Sequence, residues 1–146
     1  MAKGDKGWNK VFSDGSGGCK YNFTKPNEVY IDGQNQSIIQ SFYQFYKEET
    51  YVKLIWKNPV KNCESMFCGC SHILEMNLTY FNTSQLISMY KMFQYCLMLT
   101  SIEMSNIDTS NVLDMGRMFQ NCISLNSLDL SSFDISKNTN IGTIFF

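Results

Sequence analysis

Met92-Phe93-Gln94-Tyr95-Cys96-Leu97-Met98-Leu99 returns 26 residues later as Met118-Phe119-Gln120-Asn121-Cys122-Ile123-Ser124-Leu125. Recurrence at a fixed offset marks a repeat architecture, in which each unit buries its apolar side only by stacking on a neighbour. The same offset reaches Met66-Phe67 upstream and Ile144-Phe145 downstream, and it separates Cys70, Cys96 and Cys122. Within the units, Ile73-x-x-Met76-x-Leu78, Leu99-x-x-Ile102-x-Met104 and Leu125-x-x-Leu128-x-Leu130 have the L-x-x-L-x-L spacing of the strand segment in leucine-rich repeats. Each strand segment is followed by one apolar residue, Phe81, Ile107 or Phe133. In the second unit Val112, Met115, Met118, Phe119 and Cys122 then follow at intervals of three and four, which predicts a short helix buried on one face. Asn111 and Asp114 stand where the N-cap and N3 of that helix would fall.

The expected fold class is therefore α/β: a short leucine-rich-repeat-type solenoid, strand plus short helix per unit, over residues 58–146, with no C-terminal cap. Residues 19–57 read as a β-rich N-terminal cap, with strands over 28–31 and 37–46 joined at the turn dipeptide Asp32-Gly33 and a further strand over 51–56. Residues 1–18, containing Asp14-Gly-Ser-Gly-Gly18, read as a flexible leader.

Composition narrows the function classes. With 12 Lys and Arg against 13 Asp and Glu, the chain has no basic field for a phosphate backbone, so nucleic acid is not an expected partner. The longest apolar runs are four residues, such as Cys96 to Leu99, far short of a membrane span. Met1 to Trp8 lacks the apolar stretch of a secretory signal.

The motif Met118-Phe119-x-x-Cys122-x-x-Leu125-x-x-Leu128-Asp129-Leu130-Ser131-Ser132-Phe133-Asp134, with the unit from Ile107 to Phe119, resembles the BspA-like leucine-rich repeat surface proteins of bacteria and protists. The resemblance covers residues about 52 to 146. It implies a cell-surface or extracellular location and a role in adhesion or partner binding, and it brings no catalytic residues. A cytoplasmic scaffold is the alternative that the missing signal would favour.

Chemistry is hard to assemble from these residues. Cys63-x4-Cys68-x-Cys70-x-His72 has ligand types, but Cys70 is a ladder position and Cys63 stands where other units carry Met89 and Met115. A core role is preferred, no metal or cofactor is expected, and Cys19 with Cys68 is the pair to test in an oxidising compartment. The one imidazole, His72, has no G-x-S-x-G element to serve, so no catalytic residues are assigned. The methionines mostly hold apolar ladder positions and read as core rather than as a copper surface.

The outward strand positions are the candidate binding face for a protein or glycan. Parallel stacking would place Glu75, Ser101 and Ser127 in one column, Asn77, Glu103 and Asp129 in a second, and Thr79, Ser105 and Ser131 in a third. Four sequons, at Asn22, Asn35, Asn77 and Asn82, would allow glycosylation in a secretory pathway. Ile141, Ile144, Phe145 and Phe146 form a candidate assembly edge, through which copies of the chain could stack as subunits of a filament.

Overall fold

The computed structural model describes residues 7–19, 22–47, 49–137 and 140–145. Its elements are β1 (Gly7–Lys10), β2 (Asn22–Phe23), β3 (Glu28–Ile31), β4 (Gln34–Asn35), β5 (Phe42–Phe45), β6 (Val52–Ile55), β7 (Cys63–Glu64), β8 (Glu75–Asn77) and β9 (Ser101–Glu103). They form four small sheets, β1-β5, β2-β7, β4-β3-β6 and β8-β9. The first three are antiparallel, whereas β8 and β9 run parallel with Glu75 opposite Ser101 and Asn77 opposite Glu103.

The structure overturns the expected helix-plus-strand solenoid: the described residues contain strands and turns and no helix. The 26-residue offset survives as a stacking register. Asn62, Ser88, Asp114 and Asn140 form successive parallel bridges. Where the helix was expected, Ser65, Lys91, Arg117 and Thr143 have φ of 59°, 58°, 58° and 57°. Four residues on, Gly69, Tyr95 and Asn121 are left-handed as well. Such residues end any right-handed helix.

The backbone hydrogen bonds supply the reason. Ser65, Phe67 and Gly69 donate N–H to the carbonyls of Tyr90, Met92 and Gln94 in the next coil. Met66, Cys68 and Cys70, which alternate with them, donate to the carbonyls three residues back. The next coil does the same, with Lys91, Phe93 and Tyr95 bonded outward to Gly116, Met118 and Gln120, and Met92, Gln94 and Cys96 bonded locally. A run of four-residue β-turns brings apolar side chains inward at intervals of three and four, so the spacing of Met115, Met118, Phe119 and Cys122 fits turns as well as a helix. Asp114 is accordingly no N3 residue: its Oδ1 accepts from the Gly116 N–H at 2.8 Å.

Inside the coils Phe67, Phe93, Phe119 and Phe145 stack in one column, at centroid spacings of 5.6, 5.3 and 5.7 Å. Met66, Met89, Met92, Met115 and Met118 are buried around it, with Cys70 and Cys96. The strand expected over 125–130 does not form, and Leu125, Leu128 and Leu130 are only half-buried.

The amino-terminal part also differs from expectation. Asp32 (φ 47°) and Gly33 (φ 82°) turn β3 into β4, as the dipeptide required. β5 does not extend that hairpin but pairs with β1, inside the segment read as a leader. Val11 and Phe12 beyond β1 are buried, and residues 1–6 lie outside the described ones. Cys19 is joined to Cys68 by a disulfide, Cα to Cα 5.8 Å, which ties this segment to the first coil.

Candidate functional site

The expected outward face is brought together in part. β8 and β9 set Glu75 beside Ser101 and Asn77 beside Glu103, all four exposed. Ser127, Asp129 and Ser131 are exposed as well, but in a segment without strand pairing, so the face extends as a sheet over two coils only. Several of its polar groups cap turns. Asn77 Oδ1 accepts from the Thr79 N–H at 2.9 Å, Glu103 Oε1 from Ser105 at 2.9 Å and Asp129 Oδ1 from Ser131 at 2.8 Å. Hydrogen bonds from Ser105 hold the Glu103 carboxyl below its ordinary pKa although Asp129 opposes its charge, and Ser131 does the same for Asp129. Both carboxylates are thus kept ionised and fixed in direction, while Thr79 is half-buried.

A second row of caps lies one turn further on. Asn82, Asp108 and Asp134 accept from the N–H groups of Ser84, Ser110 and Ser136. Beneath it, Thr83 Oγ1 accepts from Asp108 N–H and Thr109 Oγ1 from Asp134 N–H, each at 2.8 Å.

The Cys/His motif is not a cluster. Cys63 and Cys70 are buried free thiols whose pKa burial pushes far up, Cys68 is in the disulfide, and His72 is exposed. Among the described residues, no group of three or more His, Cys, Asp or Glu is arranged to hold a metal ion. The sequon residues Asn22, Asn35, Asn77 and Asn82 are all exposed. At the expected assembly edge Ile141 and Phe145 are 52% and 55% exposed, Ile144 packs against the core, and Phe146 lies outside the described residues. No helix among the described residues is long and apolar enough to cross a membrane.

One feature escaped the sequence reading. A cleft of about 590 Å³ opens between β6 and β8. Val11, Val52, Leu54, Phe67, Met76 and Leu78 line its inner part, and Lys53, Asn77 and Tyr80 its rim. Trp56 and Phe81 meet edge to face at 5.0 Å at one end, with Trp56 Nε1–H donating to the Thr24 carbonyl at 2.7 Å. Its walls come from separate stretches of the chain, Val52 to Trp56 and Met76 to Asn82, and the available signal was Tyr80, an aromatic just past a strand, 98% exposed.

Residues 36–146 match the family described as "Mycoplasma protein of unknown function, DUF285". No curated protein and no solved structure matches the chain.

Proposed function

We propose that this chain, which belongs to the DUF285 family over residues 36–146, is a non-enzymatic binding module of a surface or extracellular protein that presents its coil face to a protein or glycan. The observation that carries the reading is the register of β8 and β9, which repeats outward side chains from coil to coil. Glu75, Asn77, Ser101 and Glu103 form a flat strip of hydroxyl, amide and carboxylate groups, two of them oriented by turn caps. Strips of this kind suit recognition, because side chains held on a hydrogen-bonded strand pair keep fixed positions. The Cys19–Cys68 bond supports the location, since disulfides persist in oxidising compartments. The resemblance of the repeats to BspA-like surface proteins points the same way.

The test is binding of the labelled chain to arrays of glycans and of extracellular proteins, alongside Ser101→Arg and Glu103→Arg. Saturable binding lost in both variants supports the face. Binding that neither variant changes removes it.

The half-exposed Ile141 and Phe145 favour a second reading, self-association through the last coil. Light scattering at tens of micromolar, with Phe145→Asp as control, decides it. A wild type that is monomeric, like the variant, rules it out.

A further inference from the structure

The cleft between β6 and β8 has the form of a vacant strand position. β6 is the edge strand of the β4-β3-β6 sheet, and β8 pairs with β9 in a separate sheet. No Cα of β6 comes within 8 Å of one in β8, so the two are not neighbours in a ladder, whose facing Cα atoms stand ~4.5–5.5 Å apart. One strand set between them would span two spacings of ~4.8 Å.

The lining residues show how the two strands face the gap. Residues Val52, Lys53, Leu54 and Ile55 all contribute, as do Met76, Asn77 and Leu78. Successive strand residues point to opposite faces, so consecutive residues can line one cleft only when the strand meets it edge-on. The free edges of β6 and β8 therefore border the cleft, with apolar side chains beneath them.

Burial then orders the gap. Val52, Met76 and Leu78 are buried and Leu54 half-buried, whereas Lys53, Asn77 and Tyr80 lie outward. An occupant with side chains alternating inward and outward meets an apolar row below and a polar row above. Lys53 is the one charged residue of the described lining; it forms no salt bridge among the described residues, and Glu28 on β3, whose charge it favours, is already bonded to Lys57 and Tyr30.

We infer that this cleft binds an extended peptide segment of a partner protein by strand addition to β6. The segment alternates apolar and polar residues and places an Asp or Glu opposite Lys53. Main-chain hydrogen bonds supply affinity and the alternate pockets supply specificity. The cleft shares Asn77 and β8 with the coil face, but β6 and Lys53 lie outside that face, so variants at Lys53 and at Ser101 or Glu103 separate the two readings.

The test is panning of a random dodecapeptide library against the intact, disulfide-bonded chain, followed by fluorescence anisotropy of the enriched peptides. Enriched sequences should alternate apolar and polar residues and carry an acid. Lys53→Glu should weaken them about tenfold, while Ser101→Arg and Glu103→Arg leave them unchanged. N-methylation of alternate peptide nitrogens, which removes donors but keeps every side chain, should also weaken binding about tenfold, and this arm does not depend on any variant folding. Peptides indifferent to both changes, or no enrichment with dodecanoate bound in the same cleft, would overturn the inference; the second outcome assigns the cleft to an acyl chain.

Discussion

The rings of Phe93 and Phe119 lie 5.3 Å apart between centroids and within 5° of parallel, though 26 residues separate them in sequence. That spacing is close to the distance between paired strands, so the ring column and the backbone ladder share one repeat. Phe93 is fully buried between Phe67 and Phe119, while Phe145 at the end of the column is half-exposed.

Phe93→Ala should therefore destabilise by about 3–5 kcal/mol through cavity formation, and Phe145→Ala by less than about 1.5 kcal/mol. Urea unfolding of the three proteins checks the contrast. Equal losses would mean that the column does not carry the core.

The left-handed positions give a test of the turn ladder. Arg117 pays for φ 58° with a side chain that glycine lacks, so Arg117→Gly should stabilise by about 0.5–1 kcal/mol. Gly69 holds φ 73°, and a Cβ there would stand 3.3 Å from Lys10 Nζ, so Gly69→Ala should destabilise. A helix through 115–122 would reverse the first sign, since glycine weakens helix interiors.

How far the chain could be read from its residues follows from these positions. Met92-Phe93 and Met118-Phe119 disclosed the stacking period and the buried column, because apolar side chains recur wherever a coil must face its neighbour. The helix was misread because Val112, Met115, Met118, Phe119 and Cys122 fit turns and helix alike. What separates the two is the left-handed backbone at Arg117 and Asn121, and neither is glycine. Two columns of the outward face were legible from strand alternation, while the loss of pairing at Ser127 and Asp129 was not. The cleft was hidden for another reason: Lys53 and Met76 come to line one cleft only through the tertiary path of the chain.

Asp14 supplies a pH dependence. Burial raises the cost of its charge, but hydrogen bonds from Lys10 and Ser16 outweigh that and hold its pKa at about 2, against an ordinary value of 3.8. A folded-state pKa below the unfolded one adds stability that is present above pH 3.8 and lost as pH falls from there toward 2. Unfolding free energies measured from pH 6 to pH 2 should thus converge between wild type and Asp14→Asn at the acid end. A constant difference across that range would show that folding leaves the Asp14 pKa at its ordinary value.

Thr109 joins two coils with one hydroxyl. Its Oγ1 accepts from the Asp134 N–H at 2.8 Å and donates to the Asp134 carbonyl at 3.0 Å, and the residue is 2% exposed. Thr109→Val keeps the shape and leaves both backbone groups without that partner, so it should cost about 1–3 kcal/mol. Thr109→Ser, which retains the hydroxyl, should recover most of the loss. If valine is tolerated as well as serine, the bridge contributes nothing.

The Cys19–Cys68 bond leaves Cys63, Cys70, Cys96 and Cys122 as thiols. Protein folded under oxidising conditions, then denatured without reductant and alkylated, should be labelled at those four residues only. In the native protein Cys63, Cys70 and Cys96 should resist labelling, because they are buried and burial keeps their protons on. The bond spans 49 residues, for which the chain-entropy relation gives about 4 kcal/mol of stabilisation. Cys19→Ala/Cys68→Ala should lower the unfolding free energy by that order, and reductant should lower the wild type but leave the double variant unchanged. Labelling at all six cysteines without reductant would show that the bond does not form, and the support for an oxidising compartment would fall with it.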